Sequence, residues 1–224
     1  MEPLEFMMIV RLLIPICGLI LSLGNLRYEV KRTKGIKKIA EERGWEFSDR
    51  GETAQLNNLL HFYLFSFGKA GTKQIRNLIY GKTEKLNTAV FDYCVQGNTK
   101  VATVVYFRAS DLNLPSFNLL RKPYIESSQT FGNKELDFSD NSEFTEKYAL
   151  FTDDETAVRL LFSDRLLDYF TQKKMLNIEA AEDRLILYCS DPIVEPDRID
   201  AFLEEGQRLL ELLKKSDNKV NAIA

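Results

Sequence analysis

The apolar segment between Leu4 and Leu23 constrains the fold of this chain more than any other feature. Its sequence is LEFMMIVRLLIPICGLILSL, and the 18 residues from Phe6 onwards include a single charge, Arg11. About 20 predominantly apolar residues in a helix span the hydrocarbon core of a bilayer. Arg11 lies near the start, where a long side chain can reach the interface, and Pro15 is tolerated in membrane helices. The segment therefore predicts a transmembrane anchor over residues 4–24.

The residues that follow predict the orientation of this anchor. A strip of six basic residues contains one acid, Glu29, whereas Glu2 and Glu5 lie on the other side of the segment. Positive residues close to a span stay in the cytoplasm. We therefore expect a single-pass protein of the cell membrane with a cytoplasmic body, the alternative being a signal peptide cleaved near Gly24. The bilayer is one predicted partner, and the candidate membrane-surface contacts are the six basic residues Arg27, Lys31, Arg32, Lys34, Lys37 and Lys38.

Three further regions are predicted after the anchor. Residues 25–44 form a basic juxtamembrane helix that ends at Gly44, and its lysines either lie against anionic headgroups or are simply solvated. Residues 45–214 are enough for one soluble domain with a sizeable core. The polar residues 215–224 are expected to be a flexible tail.

The soluble region is predicted to be α+β, with helices packed on an antiparallel sheet. Runs rich in β-branched and aromatic residues, separated by turn-type stretches, indicate a meander over 76–81, 88–95 and 101–110. Further strands are expected at 45–47, 117–122 and 144–151, and a hairpin at 177–179 and 184–190.

The helices of the second half are predicted from their start signals. Thr152 and Glu155 have the spacing of a capping box, and Ser163-Asp164 is suited to starting a second helix. Pro196 is well placed in the first turn of a final helix. That helix has an apolar stripe at 3.6-residue spacing, formed by Ile199, Phe202, Leu203, Leu209, Leu210 and Leu213.

The aromatic run LLHFYLFSFG, residues 59–68, has two interpretations. It is either a core element packed on the sheet, which such runs more often are, or an interfacial wedge beside the membrane. His61, the only histidine, lies here without a nearby cluster of metal ligands.

Catalytic signals are lacking in the sequence. Motifs for phosphate loops, nucleophile elbows, zinc proteases and EF-hands are absent, so we predict no enzyme, no cofactor and no metal. The net charge of −3 gives no indication of nucleic-acid binding. Cys17, Cys94 and Cys189 are expected to be reduced. Asp92 and the acids at 153–155 could serve as catalytic carboxylates. We favour instead that Asp92 lies on the polar face of a strand and that the acids at 153–155 lie at a helix start.

Two blocks carry a resemblance to a known family. They are IRNLIYGKTEKLNTAVFDYCV, residues 75–95, and SEFTEKYALFTDDETAVRLLFSDRLLDYF, residues 142–170. Their patterns of hydrophobic and acidic residues resemble a group of uncharacterised bacterial proteins, known as domains of unknown function. The resemblance implies an N-terminal membrane segment followed by a soluble domain, and no catalytic residue.

Three hypotheses about function follow. The first is a non-enzymatic binding or scaffold module that recruits an unknown protein partner to the membrane. The second is a domain that binds a lipid or small amphiphile at the membrane surface, because the aromatic run follows the anchor closely. A carboxylate-dependent enzyme is the least favoured.

Overall fold

The computed structural model is built on a broad antiparallel sheet. It describes the backbone of residues 3–51, 59–66, 72–95, 99–122, 134–138, 140–172, 176–189 and 193–221, with their side chains except those of 3–22, 99, 100, 134 and 217–221. Within these ranges nine strands pair in the order β1-β2-β3-β4-β9-β8-β5-β7-β6, each antiparallel to its neighbours. The strands are β1 Glu46–Arg50, β2 Gln74–Lys82, β3 Leu86–Val95, β4 Thr99–Ala109, β5 Leu114–Arg121, β6 Lys134–Leu136, β7 Tyr148–Thr152, β8 Asn177–Glu182 and β9 Arg184–Cys189.

Helices and the sheet together confirm the predicted α+β class. The α-helices in the described ranges are α1 Pro3–Arg43, α2 Ser142–Lys147, α3 Glu155–Leu161, α4 Asp164–Gln172 and α5 Ile199–Asn221. Short 3-10 helices occupy Tyr63–Ser66 and Pro196–Arg198. The final helix therefore extends to Asn221, past residue 214, where we expected the tail to begin.

The two faces of the sheet are covered differently. On the helical face, which includes Val90 and Val105, apolar side chains of α1, α3, α4 and α5 complete one large core. The second face includes Ala89, Phe91 and Tyr106, and its core is completed by residues 59–66, which we call the covering segment. Because side chains alternate along a strand, β3 and β4 contribute to both cores.

Most elements of the sequence prediction are confirmed, with local exceptions. The meander over β2, β3 and β4 is present, and all six residues of the final apolar stripe are buried. The strand predicted over 144–151 is confirmed only from Tyr148, where β7 begins, because Asn141 caps the amide of Phe144 and starts α2. The capping box on Thr152 is also wrong, because Asp154 is the residue that caps α3.

Helix α1 is continuous from Pro3 to Arg43 and ends where Gly44 has a φ of +65°. A positive φ favours glycine, so Gly44 stops the helix as predicted. In the part of the chain that the structure describes, no helix is long and apolar enough to cross a membrane. Residues 4–22 of the predicted anchor lie outside the described side chains, so the anchor stays a prediction.

Candidate functional site

A buried ion pair joins α1 to the helical face. The Arg32 guanidinium donates to both carboxylate oxygens of Asp92, at 2.6 and 2.8 Å, and both side chains are fully inaccessible to solvent. Arg32 also donates to the Val194 carbonyl at 2.7 Å and to the Thr103 hydroxyl at 3.1 Å. Burial alone lowers the pKa of Arg32, but the hydrogen bonds and charge of Asp92 outweigh that effect and raise it. This network connects α1, β3, β4 and the segment before α5.

Both carboxylate oxygens of Asp92 are occupied by hydrogen-bond donors. Besides Arg32, one oxygen accepts from the Asn77 amide at 2.8 Å and the other from the Thr103 hydroxyl at 3.3 Å. A carboxylate engaged in this way, with no exposed surface, is not available as a general base. Our expectation that Asp92 lies on the polar face of β3 is wrong, because α1 covers that face and completes an apolar core on it. Asp92 is a structural residue.

The structure separates the six predicted membrane-surface residues into two groups. Arg32 is buried in the ion pair, so it does not reach a surface. The other five are exposed, and Leu23, Leu26 and Val30 lie exposed just before most of them. Two of the lysines also form ion pairs one turn along α1, Lys37 with Glu41 and Lys38 with Glu42. Contact with a membrane stays a prediction for Arg27, Lys31, Lys34, Lys37 and Lys38.

The other acid–base candidates do not converge on a site. Asp154 caps α3, and Glu155 pairs with Arg159 at 2.9 Å in the same helix. Among the described residues there is no group of three His, Cys, Asp or Glu that could hold a metal ion. Burial raises the pKa of Cys189 to about 11, which keeps the thiol protonated and unreactive.

The second face holds a different buried acid, Glu179 of β8. Its carboxylate accepts the backbone N–H groups of Tyr63 and Leu64, at 2.5 and 2.9 Å, and the Tyr188 hydroxyl at 3.0 Å. Two consecutive amides at the start of a 3-10 helix are donors that the helix itself leaves unsatisfied. Glu179 therefore fastens the covering segment to the centre of the sheet.

The covering segment has a second polar attachment at the next residue, Phe65. The Lys73 ammonium donates to the Phe65 carbonyl at 2.5 Å. Phe65 itself is fully buried and contacts the rings of Phe91 and Tyr93. The expectation that this aromatic run is a core element is confirmed for the described residues 59–66, although His61 is exposed.

Burial without a counter-charge shapes the acidity of Glu179. Burial raises the pKa of Glu179 from 4.5 to about 7, although the hydrogen bonds from Leu64, Tyr188 and Tyr63 oppose this by favouring the charged form. Within the described residues these donors are amides and a hydroxyl rather than a cation. The carboxyl group is therefore poised to change charge near neutral pH.

Beside the covering segment lies an apolar pocket of about 130 Å³. One row of its lining is set by register, because Ala89 is paired with Tyr80 on one side and with Tyr106 on the other. A small side chain between two tyrosines leaves room that a larger residue would fill. The full lining is Leu59, Ile75, Leu78, Tyr80, Ala89, Phe91 and Tyr106.

Sequence reasoning did not find this site. Glu179 lies between the apolar residues Ile178 and Ala180 in a predicted strand, which is the signal that could have marked it as a buried acid that needs hydrogen-bond partners. Ala89 carries no signal, because only the register shows that it lies between two tyrosines.

Comparisons with known proteins indicate the fold. No protein-family model and no curated protein matches this chain. Among solved structures, the chain is similar to the mycobacterial trehalose monomycolate transport factor A, TtfA, with a TM-score of 0.59 and 14% identity. The match covers 85% of this chain and 94% of that one. The similarity shows a shared α+β architecture, and the neighbour is a mycobacterial protein.

Proposed function

We propose that this protein is a non-enzymatic binding module that takes the apolar chain of an amphiphile into the pocket on the second face. The observation that carries this proposal is the pocket itself, whose seven lining residues are apolar or tyrosine. Ligand sites are characteristically concave and mostly apolar with a few polar groups. The tyrosines supply such groups at the two sides of Ala89.

The size of the pocket limits what it holds. Its volume of about 130 Å³ equals roughly four water molecules at ~30 Å³ each. That is room for the end of an acyl chain and not for a whole lipid. The rest of the ligand then lies along the surface of the sheet or in solvent.

The likeness to TtfA supports a ligand of this class. That protein is named for the transport of trehalose monomycolate. A shared fold hosts many functions, so the likeness adds to the pocket and does not replace it.

The proposal places the module at the cell membrane, with residues 4–24 as a single-pass anchor and the body in the cytoplasm. The apolar sequence of the anchor, the continuity of α1 and the basic strip support this placement. The exposed side chains on α1 change from Leu23, Leu26 and Val30 to lysines further along. Such a change is typical of a helix that leaves the apolar part of a bilayer and enters its headgroups.

Reporter fusions test that placement. A fusion after Ala224 should be active only as a cytoplasmic reporter in cells. Replacing Arg27, Lys31, Lys34 and Lys37 with Gln should reduce this preference, with Lys214 and Lys215 to Gln as the control for charge elsewhere. Periplasmic activity of the unmodified fusion would refute the cytoplasmic orientation.

A second candidate function is recruitment of a protein partner with a basic surface. Seven acids within 20 residues are exposed: Glu135, Asp137, Asp140, Glu143, Glu146, Asp153 and Asp154. A stoichiometric partner purified from membranes, and lost when Glu143 and Glu146 are changed to Lys, would support this role. Purification without such a partner would count against it.

Photolabelling tests the binding function directly. The full chain in phosphatidylcholine nanodiscs is irradiated with a 16-carbon alcohol carrying a diazirine near its chain end, and the labelled peptides are mapped by mass spectrometry. We expect labels on residues 75–80, 89–91 and 106. The substitution Ala89→Leu fills the pocket and should lower this labelling several-fold, whereas Ala201→Leu on the exposed side of α5 should not. Equal labelling of both variants would refute the proposal.

A further inference from the structure

A row of basic residues lies beside the pocket, on the same face of the sheet. Side chains two residues apart on a strand share a face. Tyr80 and Tyr106 line the pocket, so Lys82 on β2 and Arg108 on β4 lie on the second face as well. Arg108 is directly opposite Arg184 on β9. Lys82 and Arg108 are both paired with Asn87 of β3.

These pairings put three cations in one line across the sheet. The line runs from Lys82 through Asn87 to Arg108 and Arg184, one pleat further along the strands than the tyrosines of the pocket. Neighbouring strands are about 4.8 Å apart, and two residues along a strand are about 6.6 Å. The cations, which we call the basic row (Lys82, Arg108 and Arg184), are therefore within a side chain's reach of the pocket.

The basic row acts on a residue of the pocket itself. The charges of Arg108 and Arg184 favour the ionised form of Tyr106, against burial, which has the larger effect and raises the pKa of that tyrosine. The charge of Asp183 acts in the opposite direction. Both guanidinium groups therefore lie close enough to the Tyr106 hydroxyl to act on it, together with this carboxylate.

Nearby acids neutralise the basic row only in part. Asp183, in the turn between β8 and β9, accepts from Arg108 at 2.5 Å and pairs with Arg184 at 3.2 Å. Glu182 accepts from Arg184 at 3.0 Å. Three cations thus meet two acids. The Arg108 side chain is 58% exposed, so it is accessible to a ligand.

From this arrangement we infer that the ligand is an anionic single-chain amphiphile, whose carboxylate or phosphate head is bound by the basic row while its chain end occupies the pocket. Arginine presents a planar fork of donors that matches a carboxylate or a phosphate in two-point contacts. Arg108 is the principal contact, because it is the most central of the three cations and lies in the strand that also carries Tyr106. This inference rests on the proposed binding function and specifies its ligand.

Competition between matched ligands tests the head group. The full chain in phosphatidylcholine nanodiscs at pH 8 is labelled with the diazirine alcohol, and unlabelled dodecanol, dodecanoate, dodecyl phosphate or dodecyltrimethylammonium is added. We expect dodecanoate or dodecyl phosphate to compete about 10-fold better than dodecanol, which corresponds to about 1.4 kcal/mol. The cation should compete worse than dodecanol. The stronger of the two anions identifies the head group.

Substitutions locate the effect. Arg108→Gln should remove most of the advantage of the anion over dodecanol and leave dodecanol itself unchanged. Arg159→Gln, an arginine of α3 that is also exposed and paired with one acid, is the control and should change neither. Equal competition by anion and alcohol, or an advantage that survives Arg108→Gln, would overturn the inference while leaving the pocket in place. Failure of every compound to reduce labelling of the pocket would instead overturn the proposed function.

Discussion

Asp92 and Glu179 are both fully buried carboxyl groups in the same sheet, but their hydrogen-bond partners differ in charge. On the helical face, Asp92 is neutralised by Arg32 and surrounded by further donors. On the second face, Glu179 has only amides and a hydroxyl as partners among the described residues. The first arrangement fixes α1 to the sheet through an ion pair with a full set of hydrogen bonds. The second holds a short covering segment beside a cavity, with a strength that depends on protonation.

Breaking the ion pair on the helical face should cause the largest loss of stability. Asp92→Leu leaves Arg32 buried without a counter-charge, and we expect it to lower the free energy of unfolding by about 3–5 kcal/mol. The double substitution Arg32→Met with Asp92→Leu replaces both charges by apolar groups and should recover most of that loss. Urea-induced unfolding of the full chain in mild detergent measures both. A double variant as unstable as the single one would contradict the role given to the pair.

The contribution of the second face to the free energy of unfolding should depend on pH. Because the pKa of Glu179 is raised from 4.5 in the unfolded chain to about 7 in the fold, the folded state binds the proton more tightly. The resulting stabilisation is fully present below pH 4.5 and is lost as pH rises through 7, amounting to up to about 3 kcal/mol.

Glu179→Gln should flatten this part of the pH profile of unfolding. Exposed Glu204, changed to Gln, serves as the control and should leave the profile as it is. Parallel profiles for the unmodified chain and for Glu179→Gln would contradict the account of the second face.

The two faces should also differ, by a smaller amount, in how much stability is lost when a larger side chain is introduced. Gly81 of β2 lies against the Trp45 ring, and a Cβ there would meet ring carbon Cε2 at 2.3 Å. Gly81→Ala should therefore cost about 1–3 kcal/mol through overpacking. On the neighbouring strand and the opposite face, Ala89→Leu adds more atoms but has a pocket to place them in, so we expect a loss below about 1 kcal/mol. The midpoints of thermal unfolding measure both, and equal losses would indicate that the pocket is closed in solution.

The sequence predicted the sheet because its signals are local. Alternating β-branched and aromatic residues marked β2, β3 and β4, and the apolar stripe marked α5. The errors at Phe144 and Thr152 concern where a helix starts, because more than one short polar residue near each position can cap it. Asn141 and Asp154 are the residues that do so.

The site was not predictable because it depends on long-range pairing. Arg32 looked like one of six similar basic residues, and only the packing of α1 on β3 distinguishes it. Asp92 and Glu179 each have apolar neighbours on both sides in their strands, so the pattern gives no clue that one meets a guanidinium and the other two backbone amides. The pocket and the basic row arise from register across β2, β3, β4 and β9, which the sequence does not contain.

If the pocket on the second face holds the end of an apolar chain, a heavy atom at the chain end should be found there. The full chain is crystallised with a dodecanoate brominated at its terminal carbon, and the anomalous signal of bromine is located. We expect a bromine between Tyr80 and Tyr106, next to Ala89 and Leu59. The proposed function would be contradicted if bromine were found only elsewhere on the protein and these side chains were in contact across an empty, closed pocket.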